Sequence, residues 1–398
     1  MRVLFTAWAW PPHYYPLVPL AWAMRNAGHE IRVAGPPALA DTITHSGQPA
    51  VEVGQDSDFS ELTRGTMSID RNAPATPELW RELRKPKGER ALKMFASIAE
   101  TMVDGLVDFA RAWQPDLVVH SPTSYAGAIA AAAVGVPNVR VLMAPDIAYR
   151  GRHAEPALLA DMCRRFGVDE VSPLGALTVD PCPPRIQIPS DYPRQLMRYV
   201  PYNGPAEMPH WLLEPPTRRR VCITWGTTLA AVNPNLVLAG RMLEAVADLD
   251  AEVIVTVAPS HREFLGPVPE NIRVVEGLPL HLLLPSCDLM IHQGGNGTTM
   301  TGMVCGVPQL IVPQFPDQAF VAERMAAAGA ADVLLPEDAE PAEVRARVTD
   351  MLENPRWKRD AGRLRDEAEA QPAPTDIVPV LEKLAQDGRA RHSTAPTL

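Results

Sequence analysis

Ten prolines fall between Pro181 and Pro216, near the middle of a chain of 398 residues. Proline lacks an amide hydrogen and has a fixed φ, so neither a helix nor a sheet ladder persists through that density. The stretch divides the chain into two folding units, and the pattern before it recurs after it. Residues 2–8 are an apolar run suited to a buried parallel strand. Leu17, Leu20, Ala21 and Met24 give 16–27 a helical period, Gly28 ends that helix, and 30–34 make the next strand. On the far side, 220–226 reads as a strand, 235–247 as a helix and 252–257 as a strand. Further strands are expected at 116–120, 139–143, 289–291 and 309–312, and helices at 91–113 and 124–133. Strands alternating with helices in both halves predict an α/β fold of two Rossmann-like, doubly wound domains facing a central cleft. The first domain is expected at 1–200, the Pro-rich linker at 201–217 and the second domain at 218–372. The polar region 54–90, interrupted by Pro74, Pro77 and Pro86, is expected to be a mobile loop.

Charge and cysteine content narrow the function. A net charge of −10 argues against nucleic acid or an anionic membrane surface as partner, so any phosphate must be held locally by backbone amides. The five cysteines (163, 182, 222, 287, 305) show no C-x-x-C spacing, which indicates neither a disulfide framework nor a zinc site and suits a reducing cytoplasm. Pro11 and Pro12 cut short the first apolar run, and no stretch reaches the roughly 20 residues a membrane span needs.

The chemistry concentrates in residues 287–302. An apolar strand ends at His292, a glycine-rich turn follows (Gly294, Gly295, Asn296, Gly297), and Thr298 and Thr299 open a helix. Glycines let a phosphate approach the backbone, and the first helical N–H groups are unpaired and carry the positive end of the dipole. After the strand 309–312 comes Asp317-Gln318, whose side chains can accept from and donate to sugar hydroxyls. No P-loop and no complete dinucleotide fingerprint are present.

His292, Gly294, Gly295, Gly297 and Thr298, followed by Asp317 and Gln318, resemble the donor-binding segment of GT-B glycosyltransferases that attach deoxysugars to polyketide and macrolide antibiotics. The resemblance implies a TDP- or UDP-sugar as co-substrate, with no other cofactor and no metal. His292 is expected to contact the diphosphate, with backbone or hydroxyl donors from Gly294 through Thr298. The Trp225-Gly226-Thr227-Thr228 turn is expected near the phosphates, and Leu278 and Pro279 at the nucleotide base. It implies a last helix, about 373–386, crossing back to the first domain, with 387–398 a disordered tail. The strings Asp56-Ser-Asp58 and Asp248-Leu-Asp250 are expected to be surface turns, not cation ligands.

His13 lies just past the first strand and coincides with the loop histidine that acts as general base in such enzymes. Inverting transfer needs a base, because the acceptor hydroxyl loses its proton as it attacks the anomeric carbon. The acidic partner usual in the family is replaced by Ser121, beside His120, and Asp146 is the best substitute for it. Trp10, Tyr14, Tyr15, Phe95, Ser121, Tyr125 and Met143 are the acceptor-site candidates, fitting a flat apolar polyketide. O-glycosylation is the primary expectation. C-glycosylation of an aromatic polyketide, a nucleotide-sugar epimerase and a non-catalytic helper of another transferase are the alternatives. A homodimer and a helper protein are both compatible with the sequence, which indicates neither.

Overall fold

A computed structural model of the chain describes residues 1–393. Their strands form two wholly parallel sheets. The first contains β1 (Arg2–Thr6), β2 (Glu30–Gly35), β3 (Ala50–Glu52), β4 (Leu117–His120), β5 (Asn138–Val141), β6 (Leu177–Asp180) and β7 (Arg194–Leu196). The second contains β8 (Arg220–Thr224), β9 (Glu252–Val257), β10 (Ile272–Glu276), β11 (Leu289–His292), β12 (Gln309–Ile311) and β13 (Ala331–Val333). The orders are β3-β2-β1-β4-β5-β6-β7 and β10-β9-β8-β11-β12-β13. Each is the doubly wound Rossmann order, in which the chain reverses direction across the sheet between β1 and β4, and between β8 and β11. In such sheets ligands bind at the carboxyl ends of the strands flanking the reversal. β4, β8 and β11 are buried at every position, which suits the apolar residues at their centres.

The helix expected at 91–113 is two, Glu89–Glu100 and Val103–Trp113. The break has a visible cause. The Thr101 carbonyl turns away from the helix to accept from Gln55 N–H at 3.0 Å, and Gly54 (φ +70°) packs so closely that a Cβ there would stand 2.2 Å from that carbonyl.

The region expected as a mobile loop is ordered and crosses to the other domain. Asp58 caps the helix Phe59–Met67 and Thr76 caps Pro77–Leu83, so Pro77 starts a helix where the sequence suggested disruption. Ile69, Trp80 and Leu83 are buried in the core of the second domain with Leu236, Met242 and Leu334. Buried Asn233 donates to the carbonyls of Asp70 (3.2 Å) and Ala73 (2.9 Å), and Arg84 pairs with Glu337. The segment is thus a strap reaching over the cleft. Its apolar side chains are few, so it had read as polar loop; the surface that buries them lies some 150 residues away.

Elsewhere the domains share an apolar cluster in which Met143, Cys182, Ile186 and Tyr199 pack with Met300, Met303 and Phe320. The final helix runs Pro374–Ser393, longer than expected, and packs Ile377, Val378 and Leu381 into the first domain's core. Residues 387–393, expected as disordered tail, continue this helix, tied down by an Arg389–Asp116 ion pair of 2.9 Å. Residues 394–398 lie outside the described residues. Among the described residues no helix is long and apolar enough to cross a membrane.

Candidate active site

β11 delivers His292 into a fully buried position. Its Nδ1 accepts from Gly294 N–H at 3.0 Å, and its Nε2 faces Gln309 Oε1 at 2.9 Å. An amide donor on one side and a carbonyl acceptor on the other select the neutral imidazole protonated at Nε2. Burial lowers its pKa from 6.5 to about 4, with the Gln309 bond opposing. This corrects the expectation of a diphosphate contact: both nitrogens are engaged inside the protein, and His292 shapes the turn that follows. Gly294 (φ +88°) completes that turn, since a Cβ there would stand 2.9 Å from Ile311 Cγ2.

The helix Asn296–Val304 begins immediately, with Gly295 as its N-cap. The Thr299 N–H is bonded to the Gly295 carbonyl at 2.9 Å, which leaves the amides of Asn296, Gly297 and Thr298 ahead of it at the positive end of the dipole. Residues 295–298 are partly exposed. Alongside, Gly226 (φ +59°) turns the chain after β8 into the helix Thr228–Val232, capped by Thr227. Trp225 itself is core, with its indole N–H donating to Gln314 at 3.3 Å, and contributes to the turn only through its backbone. Leu278 and Pro279 follow β10 at the same edge of the sheet, Leu278 buried and Pro279 capping the helix Leu280–Leu283.

Asp317 and Gln318 sit in the first turn of the helix Pro316–Ala327. Gln318 Oε1 accepts from the amides of Gln314 (2.8 Å) and Phe315 (3.0 Å), which reserves its Nε2 for other contacts. A Cβ on Gly294 would stand 3.3 Å from Gln318 Cβ, so the glycine turn and this helix are in contact. Among the described residues Asp317 forms no ion pair, and its carboxyl is bonded by backbone amides. Burial raises its pKa, while its own amide and that of Gln318 work in the opposite sense.

Across the cleft, His13 lies in the short helix Pro11–Tyr14 directly after β1. Its ring centroid is 4.2 Å from that of Trp8, which also meets Phe59 (4.7 Å) and Phe95 (5.9 Å), while Trp10 meets Phe59 at 4.6 Å. Burial lowers the His13 pKa from 6.5 to about 3, with the Pro122 carbonyl acting the other way. The imidazole is therefore neutral across the physiological range, and the same burial weakens it as a base in the unliganded site. His13 Nδ1 and Trp8 Nε1 are buried and have no hydrogen-bond partner.

The expected partners of His13 have other engagements. Ser121 Oγ bonds to Ser124 Oγ at 2.7 Å, and His120 is buried with Nδ1 on the Ser121 carbonyl at 3.0 Å. Asp146 is corrected as well. Both its oxygens are held by Arg140 (3.2 and 2.7 Å), Tyr192 OH adds a bond of 2.6 Å, and no hydrogen bond reaches His13. Asp146 is the N-cap of a turn and the counter-ion of a buried arginine. The turn after β4 thus offers His13 a backbone carbonyl where a carboxylate was sought.

Of the acceptor candidates, Trp10 and Phe95 join the aromatic group beside His13. Three others are corrected by their packing. Tyr14 is fully buried on the Ser46 hydroxyl at 2.6 Å, Tyr125 is buried on Glu155 at 3.0 Å, and Met143 belongs to the interdomain cluster. Tyr15 packs edge-on against Tyr202 of the linker at 5.3 Å. As for the acidic strings, Asp56 accepts from the Ala38 amide (2.8 Å), Asp58 caps a helix, and Asp248 and Asp250 pair with Arg345 (3.2 Å) and Arg218 (3.5 Å).

Two family models, described as the N-terminal and C-terminal domains of erythromycin biosynthesis protein CIII-like proteins, match residues 22–226 and 240–384. The chain is 40% identical to 10-deoxymethynolide desosaminyltransferase of Streptomyces venezuelae, covering 98% of this chain and all of that one. The chain belongs to the EryCIII-like glycosyltransferase family. Another relative is aklavinone 7-beta-L-rhodosaminyltransferase of Streptomyces galilaeus, 38% identical over 100% of this chain and 98% of that one. Among solved structures, the glycosyltransferase VinC in complex with DTDP superposes with a TM-score of 0.82 at 37% identity, covering 97% of this chain and 100% of that one. The EryCIII-like chain is therefore a glycosyltransferase of the GT-B fold. Its site includes residues that sequence reasoning missed. Phe59 was hidden in a polar stretch, and Gln309, fully buried on His292 and on the Thr299 carbonyl (3.1 Å), opened what read as an ordinary strand. A glutamine inside an apolar strand was the available signal for the latter.

Proposed function

We propose that this chain transfers a deoxysugar from a TDP-sugar to a hydroxyl of a polyketide-type aglycone, with inversion at the anomeric carbon. The observation that carries the proposal is the pairing of two strand-end sites: a neutral histidine among aromatic rings after β1, and a helix N-terminus with free amides after β11. The relatives are named for desosamine and rhodosamine transfer and for 10-deoxymethynolide and aklavinone as acceptors, which supports this donor and acceptor class. The VinC structure holding DTDP supports TDP as the nucleotide.

In this mechanism the aglycone lies on Trp10, Phe59 and Phe95, and His13 removes the proton from its attacking hydroxyl. The departing diphosphate gains charge as the glycosidic bond breaks. The amides of Asn296, Gly297 and Thr298 and the helix dipole stabilise that charge without a cation. Asp317 accepts from hydroxyls of the sugar ring and Gln318 Nε2 donates to one. C-glycosylation loses its candidate carboxylate, because Asp146 is held by Arg140.

The test is a product screen by mass spectrometry, with the purified chain, TDP-deoxysugars and polyketide aglycones, in buffer with and without EDTA. The expected product is an acid-labile O-glycoside formed equally in both buffers. An acid-stable linkage, turnover of the nucleotide sugar without aglycone, or a rate that EDTA abolishes and magnesium restores would each refute its part of the proposal.

A further inference from the structure

Between His292 and the glycine turn stands Gln293, only 4% exposed. Its amide lies between the two turns of the cradle. A Cβ built on Gly226 would be 2.5 Å from Gln293 Nε2, and one on Gly295 would be 2.9 Å from it. The turns after β8 and β11 therefore close around this side chain, and glycine at both positions makes the room. Gln293 Oε1 is buried and has no hydrogen-bond partner among the described residues. Asn296 Oδ1, three residues on in the same cradle, is in the same condition. Buried carbonyl oxygens without donors are costly and uncommon, and two of them here call for a ligand that supplies O–H or N–H groups. A diphosphate supplies none, since its ionised oxygens only accept. The sugars attached to it carry hydroxyls.

We propose that Gln293 is a donor-binding residue whose side-chain carbonyl accepts a hydrogen bond from a hydroxyl of the nucleotide sugar while the diphosphate rests on the Asn296–Thr298 amides. The hydroxyl belongs either to the pentose or to the transferred hexose, both of which flank the diphosphate. The proposal rests on the donor assignment of this cradle, and the experiment separates the two. The opposite amide orientation would instead aim Nε2 at a phosphate oxygen, in which case TDP and 3′-deoxy-TDP lose affinity equally in Gln293→Met.

Dissociation constants are measured by calorimetry for TDP, 3′-deoxy-TDP and a TDP-hexose with the wild type and Gln293→Met, thermal melting serving to confirm folding. Gln293→Asn replaces Gln293→Met if the latter does not fold. The expected result is an affinity for TDP-hexose about tenfold weaker in Gln293→Met. If the pentose supplies the hydroxyl, TDP shows the same loss and 3′-deoxy-TDP does not; if the hexose supplies it, TDP binds both proteins alike. Unchanged TDP-hexose affinity in Gln293→Met, or a loss that is equal for TDP and 3′-deoxy-TDP, overturns the proposal. Failure of the wild type to bind TDP at all overturns the donor assignment itself.

Discussion

Each domain places a histidine beside the reversal of its sheet, on opposite sides of that reversal, and the two histidines do opposite things. His13 follows β1 and His292 ends β11, each beside the reversal of its sheet. His292 is sealed, with both ring nitrogens bonded within the protein. His13 has a buried Nδ1 without a partner and a ring set among aromatics. Under the proposed mechanism the contrast follows from the work of each site. Holding a diphosphate needs backbone amides in a fixed turn, so the histidine there is spent on fixing the turn. Taking a proton needs a free lone pair, so the histidine there must remain uncommitted.

Substitutions can break or sharpen this contrast. The largest effect is expected for His13→Ala: kcat about 10²- to 10⁴-fold lower, with TDP affinity unchanged, read by steady-state kinetics and calorimetry. Turnover close to wild type would remove His13 from the chemistry. Asp146→Ala leaves the Arg140 guanidinium buried without its counter-ion and is expected to cost about 3–5 kcal/mol of stability in urea denaturation. A variant of full stability but greatly reduced turnover would return Asp146 to the catalytic group. His292→Ala strands Gly294 N–H and Gln309 Oε1, which should cost about 2–4 kcal/mol and weaken TDP binding through the turn, whereas His13→Ala should leave the urea midpoint almost unmoved.

The smallest effects concern pH. Folded pKa values of about 3, 4 and 4 for His13, His120 and His292 lie below the ordinary 6.5. Below 6.5 the unfolded chain binds protons that the folded chain refuses, so these groups lower stability as pH falls toward 4 and have no influence well above 6.5. The urea midpoint of His292→Gln should accordingly fall less steeply than that of the wild type between pH 7 and pH 5, offering a measure of one histidine alone. In the rate profile, His13 should contribute no loss of kcat/KM on going from about pH 8 to pH 5.5, since the free enzyme keeps it neutral there. An acid limb near 6.5 that vanishes in His13→Ala would show the imidazole to be better solvated than the fold implies.

Local sequence carried the doubled strand-helix-strand pattern, the cradle at Gly294–Thr298 and the position of His13, because each rests on neighbours within a few residues. Burial of apolar runs marks a parallel strand, and glycine before a helix marks an anion site, wherever the rest of the chain goes. What the sequence left open depended on distant partners. Tyr14 and Trp10 are four residues apart and equally aromatic, yet one is sealed on Ser46 and the other stands by Phe59. Asp146 looked available until Arg140 and Tyr192 were placed around it. The strap at 54–90 read as loose because the core that receives Trp80 is built by residues far along the chain. By itself, then, the sequence determined two Rossmann-like halves and an anion turn, since backbone geometry and periodicity are short-range properties. Only the tertiary structure decided which histidine is free, which carboxylate is spent and which aromatics face the cleft, since those depend on the contacts each side chain finds across the fold.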